Sequence, residues 1–287
     1  MPWATEPARQ NRRMDTSDPD GLHRHRLATL YADRGGLLAI FGPKVADYVA
    51  SRPDYPPALL DWLAAEGVLR QDSRVVDVGA DTGLLTRDLL ARGAQVLAVE
   101  PNVAMRKACD QLLGGIAGYR SADGRAEAIP AADASVDLVT AAQAFHWFDV
   151  PLARREFARV LVRGGAVALT WNDRRDDDPL TQDVNAVFGR YGGERRDAML
   201  AHENRNDVEA FFAPLRAQQW TGEHQHRLDE AGLLALAFSR SYMPAPDAPD
   251  RSTAAAELRA IFTRHARNGQ VEVRYRTVCW LGRVTGG

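Results

Sequence analysis

The segment from Arg74 to Glu100, RVVDVGADTGLLTRDLLARGAQVLAVE, constrains this chain more than any other. Val75, Val76 and Val78 form a short apolar run broken only by Asp77. Such a run, bounded by turn residues, predicts a buried parallel strand. Gly79, Ala80, Asp81, Thr82 and Gly83 predict a tight turn. Leu84, Leu85, Leu89 and Leu90 follow at helical spacing, and Gly93 suits the helix C-terminus. Gln95 to Val99 reads as a second strand with Glu100 at its end. Strand, glycine turn, helix, strand and acid make half of a doubly wound α/β sheet. Such sheets bind ligands outside the carboxyl ends of their strands.

The turn narrows the ligand. A dinucleotide site of the common kind has the pattern G-x-G-x-x-G, which lets backbone touch a pyrophosphate. Here the order is Gly79-x-Asp81-x-Gly83, and a carboxylate at that point repels a diphosphate. NAD is therefore disfavoured. Glu100, about twenty residues on, still suits the two hydroxyls of a ribose. A ribose without a diphosphate points to an adenosine conjugate such as S-adenosylmethionine (SAM).

DVGADTGLLT resembles the first SAM-binding motif of class I methyltransferases, usually written D-x-G-x-G-x-G, with Asp81 at the middle glycine. VEPNVAMR resembles their second motif. GRAEAIPAADASVDLVTAAQAFHWFD and EFARVLVRGGAVALTW are similar to the segments around their fourth and fifth strands. YVASRPDYPPALLDWL is similar to the small-molecule, trans-aconitate methyltransferase-like branch. The resemblance implies a mostly parallel, seven-stranded Rossmann-like sheet with helices on both faces, the last strand antiparallel between the fifth and sixth. It implies one domain over residues 27–287, with a helical cap over the substrate side within 175–265.

The resemblance also implies a cofactor set. Asp77, Gly79, Ala80, Asp81 and Gly83 belong to the first motif, and Glu100, Pro101 and Met105 to the second. Ala126 and Glu127 flank the adenine. Tyr48 and Arg52 lie at the methionine end, and Gln143 faces the methyl group. Asp77 is expected to buttress the loop by accepting backbone N–H bonds. The Gln143–Phe148 crossing should face the methyl group or the acceptor. His146 is the candidate base or acceptor-positioning residue, because imidazole titrates near neutral pH. The competing reading has His146 hydrogen-bonded to backbone while Phe145, Trp147 and Phe148 form a wall. Asn172, at the end of the fifth strand, is a further candidate for reaching the acceptor.

The remaining composition excludes more than it assigns. A content of 45% hydrophobic and 26% charged residues fits a soluble globular chain. A formal net charge of −2 supplies no field for nucleic acid or an anionic membrane. Cys109 and Cys279 have no metal-like spacing and read as free thiols in a reducing cytoplasm. No apolar run approaches the roughly 18 residues of a membrane helix, and the arginines near the N-terminus precede no signal-like segment. The expected protein is cytoplasmic, a monomer or homodimer, with a small-molecule acceptor and no metal.

Along the chain, residues 1–26 read as a mobile tail and 27–49 as short helices across the site's mouth. Pro57 and Pro101 are read as first residues of helices, Leu152 to Leu161 as a helix, and Trp171 to Asp178 as a charged loop. Helical character from Pro179 to Phe212, with a Gly192-Gly193 break, precedes a strand within 215–228. Helices at 230–239 and 253–266, the latter capped by Ser252, lead to a last strand at Val271–Leu281. Two function classes stay open: methyl transfer to a small molecule, and a pocket of the same fold used for a rearrangement or a regulatory partnership. Asp81 keeps the second class open.

Overall fold

The computed structural model describes Thr29, Leu30, Ala32, residues 51–203 and residues 205–284. The expected tail and Tyr48 lie outside these residues, as do nearly all of the expected helices at 27–49. Helix α1 (Pro57–Ala65) starts on Pro57 and buries Leu59, Leu60 and Leu63. Strand β1 (Arg74–Val78), helix α2 (Leu84–Ala91), strand β2 (Gln95–Val99), helix α3 (Val103–Leu113) and strand β3 (Tyr119–Ala122) follow. Strand β4 (Val136–Ala142) leads through a 3-10 turn (Phe145–Trp147) to helix α4 (Val150–Val160) and strand β5 (Leu161–Arg174). Helices α5 (Pro179–His202) and α6 (Val208–Phe212), strand β6 (Gln218–Leu228), helices α7 (Glu230–Phe238) and α8 (Arg251–His265), and strand β7 (Val271–Gly282) complete the order.

The seven strands form one sheet in the order β3-β2-β1-β4-β5-β7-β6. β1 pairs parallel with β2 and with β4, and β7 pairs antiparallel with both β5 and β6. The strand order therefore reverses between β1 and β4. At such a point the two connecting helices diverge to opposite faces and leave a crevice at the carboxyl ends.

Burial explains why the strands read as continuous apolar runs. Val75, Leu89, Leu59 and Leu138 pack together in the layer of α1, α2 and α3. Val76, Val139, Phe157 and Phe211 pack in a second layer with α4 and α6. A third cluster joins α5, α7 and α8 to β7 through Phe188, Leu236, Leu258 and Tyr275. α5 kinks at Gly193 (φ 49°, ψ −143°), where the double-glycine break was expected.

Four boundaries differ from the sequence reading. Pro101 is not the first residue of α3; Asn102 caps it, its side chain accepting from the N–H groups of Ala104 (2.9 Å) and Met105 (3.1 Å). α8 begins at Arg251 after Asp250, so Ser252 lies inside the helix rather than capping it. α4 starts two residues early because Asp149 accepts from the N–H of Leu152. β5 runs past Trp171 to Arg174, since Asp173 and Arg174 pair with Arg276 and Tyr275 of β7. Residues 175–178 form the expected loop, while 171–174 join the strand because an antiparallel partner, invisible locally, extends it. The cap of α3 gives a first prediction: Asn102→Ala should cost about 1 kcal/mol, read as a fall in Tm of about 2–4 °C.

Candidate functional site

The crevice is an open cleft, its roughly 550 Å³ of free space continuous with solvent. The turn after β1 supplies one wall through Gly79, Ala80, Asp81 and Thr82. Ala142 and Gln143, after β4, supply the opposite edge, and Asn172 comes from β5. Arg52, Pro53 and Tyr55 lie ahead of α1; Arg240 follows α7 and Tyr275 comes from β7.

The turn is held from below. Asp77 is 1% exposed and accepts from the hydroxyls of Thr86 (2.6 Å) and Thr140 (2.7 Å). Burial pushes its carboxyl above the ordinary value, and the two hydroxyl bonds oppose that shift. Its buttressing role thus runs through side-chain hydroxyls more than through the backbone bonds expected. The N–H groups of Gly79 and Ala80 donate to the Val99 carbonyl at 2.8 and 3.2 Å, fastening the turn to β2.

Gly79 has φ +68°, and a Cβ there would lie 2.6 Å from the Ala144 Cβ. Gly83 has φ +89°, and its Cβ would meet Cys109 Sγ and Leu113 Cδ1 at 2.6 Å each. Both glycines are therefore required by packing between β1, the β4 crossing and α3, as well as by backbone conformation. Asp81 takes the left-handed conformation as well, at φ +56°, which Asp tolerates better than most residues.

Glu100 sits directly behind this turn. One carboxylate oxygen accepts from the N–H of Asp81 (3.0 Å) and the other from the N–H of Asn102 (2.8 Å). Burial pushes its pKa up to about 7, and the Asp81 charge adds to the rise. The two backbone bonds and Arg106 pull the other way. A carboxylate offers about four acceptor positions, so two remain for ligand hydroxyls.

The cleft brings together only part of the expected set. Asp77, Gly79, Ala80, Asp81, Arg52, Gln143 and Asn172 line it. Gln143, at φ +57°, donates from Nε2 to the Asn172 carbonyl at 3.1 Å, tying the ends of β4 and β5. Asn172 donates to the Asp54 carbonyl (3.2 Å) and accepts from the Thr277 hydroxyl (2.6 Å). Gly83 closes the turn as the residue before α2. Glu100, Pro101, Met105, Ala126 and Glu127 stand beyond that lining, along the chain leaving β2 and β3. Met105 and Ala126 are buried, and Glu127 accepts from the N–H of Asp149 at 2.7 Å.

The Gln143–Phe148 crossing faces the cleft through Gln143. Of its aromatic and imidazole side chains none lines the cleft. Phe145 meets Trp171, Phe148 and Phe211 edge-on, with centroids 5.3–6.1 Å apart. His146 packs against Trp147 and His202, and its Nδ1 is enclosed without a hydrogen-bond partner. Burial, with the nearby Arg205 charge, lowers its pKa to about 3. An imidazole that protonates only near pH 3 is a weak base, and its Nδ1 lacks the backbone hydrogen bond of the competing reading as well. The 3-10 turn buries Phe145 and Phe148 and leaves His146 and Trp147 half-buried against His202, a twist that linear position after a strand does not reveal.

Arg174, Arg240 and Tyr275 were not anticipated. The available signal was Tyr275 at an inward position of an alternating strand, where a phenol needs a polar partner. Among the described residues, no three His, Cys, Asp or Glu side chains gather as a metal site, and no helix is long and apolar enough to cross a membrane.

Comparison with known proteins adds independent findings. A family described as a methyltransferase domain matches residues 76–169, the stretch from β1 to β5. An uncharacterized methyltransferase from Mycobacterium tuberculosis is 35% identical over 249 residues, covering 86% of this chain and 96% of the relative. An uncharacterized methyltransferase from Schizosaccharomyces pombe is 28% identical, covering 84% and 95%. A solved structure from Anaeromyxobacter dehalogenans, described as a proposed type II methyltransferase, superposes with a TM-score of 0.58 at 26% identity. It covers 82% of this chain and 99% of that one.

Proposed function

This chain belongs to the class I methyltransferase family, and from that premise we propose that it uses S-adenosyl-L-methionine to methylate a small-molecule acceptor, releasing S-adenosyl-L-homocysteine (SAH). The observation that carries the reading is the Glu100 carboxylate beneath the Gly79–Gly83 turn, with acceptor capacity left for two sugar hydroxyls. The donor chemistry fits the group: the turn offers backbone and a carboxylate rather than a lysine and a phosphate nest. When bound, the sulfonium supplies an electrophilic methyl carbon.

In this reading Glu100 holds the ribose, Asp81 faces the ammonium, and Arg52 with Tyr48 binds the methionine end. Pro101, Met105, Ala126 and Glu127 border the adenine, and Ala80 contributes backbone. Gln143 and Asn172 hold the acceptor in line at the switch point and exclude water, which is most of what such a displacement asks of a protein. Helices α5, α7 and α8 act as the cap, since Arg240 and Tyr275 reach the cleft from that layer. The net charge of −2 favours a small acceptor over a polyanion, and a soluble cytoplasmic monomer or homodimer is the simplest setting.

Calorimetric titration with SAM and SAH tests the proposal. Saturable binding of both is expected, and binding of neither overturns it. Binding without label transfer to any extract fraction would favour the non-methylating reading, which rests on the Asp81 carboxylate standing against Glu100. The placement of His146 gives a second prediction. His146→Gln should leave the shape of the pH–rate profile between pH 6 and 8 unchanged, because the imidazole is neutral throughout that range.

A further inference from the structure

The cleft wall made by Tyr275 and Arg240 has a chemistry that methyl-donor binding does not use, and Arg174 stands close behind it without lining the cleft itself. Arg174 of β5, Tyr275 of β7 and His224 of β6 lie side by side in one row of the sheet. The row behind it holds Asn172 and Thr277, so Arg174 stands two residues, or about 7 Å, beyond Asn172. Arg174 rests over the Phe188 ring at 4.9 Å and, among the described residues, has no carboxylate within ion-pair range. Tyr275 is 1% exposed, lines the cleft, and its hydroxyl has no hydrogen-bond partner. His224 Nε2 is likewise enclosed and without a partner. Arg240 joins Tyr275 in the cleft wall.

Two guanidinium groups repel each other, and an orphaned phenol in a buried wall costs free energy. Burial together with Arg240 and Arg52 lowers the Arg174 pKa to about 10, and at neutral pH it remains charged. Burial also keeps His224 neutral, as a hydrogen-bonding group rather than a further cation. Asp54, the acid whose charge acts on His224, is held by Arg87 at 2.9 Å. A convergent set of two cations and a phenol donor matches an anion's oxygens.

We propose that Arg174, Arg240 and Tyr275 form an anion-binding subsite for the methyl acceptor, which therefore carries a terminal carboxylate or phosphate monoester separate from the atom that is methylated. The separation follows from position and from chemistry. The subsite lies about 7 Å outward of Asn172, and a carboxylate paired with guanidinium groups loses the basicity a nucleophile needs. The anion is thus a handle that orients the acceptor, with its nucleophile pointing back toward Gln143 and Asn172.

This inference rests on the methyltransferase reading, and its test keeps the two apart. Inorganic phosphate and succinate are titrated into the full chain, free and loaded with SAH. At least one should bind saturably in both states, and the tighter of the two identifies the anion class. Arg174→Gln should weaken that binding about tenfold, with Arg174→Lys intermediate and the SAH affinity unchanged in both. Arg240→Gln should act in the same direction and stands in if Arg174→Gln does not fold. Arg175→Gln, whose partners are the surface acids Asp177 and Glu223, should have no effect. The subsite is overturned if neither anion binds, if Arg174→Gln and Arg240→Gln both bind as the unchanged chain does, or if SAH displaces the anion. The last result would assign the arginines to the cofactor's carboxylate. Failure to bind SAH would sink the methyltransferase reading alone, because the cofactor-free titration still decides this site.

Discussion

Glu100→Gln should weaken SAH binding by about 30- to 1,000-fold, because two hydrogen bonds to a charged acceptor are worth roughly 1.5–3 kcal/mol each and are only partly kept by an amide. The amide has a second defect. Glu100 accepts a backbone N–H on each oxygen, from Asp81 and from Asn102. In the amide one of those positions becomes an NH2 facing an N–H donor, so the turn that should hold the cofactor is pushed out of place as well.

The same residue predicts a pH dependence. In the free protein its pKa is raised to about 7 from 4.5, so below pH 7 it is largely protonated. Ribose hydroxyls donate to the anion, so binding lowers that pKa and releases a proton. SAH affinity should therefore improve about tenfold per unit as pH rises toward 7 and level off above it, while Glu100→Gln shows no slope from this source. Stability runs the other way. A carboxyl raised in the folded state stabilises the fold fully below the unfolded value of 4.5, and that contribution is lost as pH rises through about 7. Its size is at most roughly 3 kcal/mol. Calorimetry in two buffers of different ionisation enthalpy measures the released proton. An affinity that stays flat from pH 5.5 to 7.5 would show that Glu100 does not meet the sugar.

The half of the molecule up to β5 was legible because its signals are local. Val75, Val76 and Val78 are buried by neighbours on both faces, so their run is apolar without alternation. Gly79, Gly83 and Glu100 mark the turn and its acid in the chain itself. What escaped depends on partners distant in sequence. Arg174 reads as part of a solvated run until β7, about a hundred residues on, pairs with it. His146 follows a strand at the right place for chemistry, yet its ring is claimed by His202 on α5. The turn side of the cleft, made by Gly79 to Thr82, is continuous in sequence, whereas the opposite wall is assembled from β5, β7 and Arg240 beyond α7 and leaves no local mark.

Gly83→Ala should destabilise the fold by about 2–5 kcal/mol and abolish SAH binding as a consequence. Two costs add. A residue with a Cβ at φ +89° pays roughly 1–2 kcal/mol of backbone strain. Its Cβ would also lie 2.6 Å from both Cys109 Sγ and Leu113 Cδ1, and overpacking of this kind costs about 1–3 kcal/mol. Cys109 and Leu113 are 1% and 3% exposed and belong to the α3 packing layer, so neither can swing into solvent to relieve the contact. Gly164 separates the two contributions, for it has nearly the same φ, +85°, with nothing within 4 Å of its would-be Cβ. Gly164→Ala should show the backbone cost alone and keep full SAH affinity. Denaturant unfolding of both variants gives the difference, which is the packing of α3 against the turn. Equal destabilisation would mean that the turn is shaped by backbone conformation only, and that α3 does not hold the cofactor loop in place.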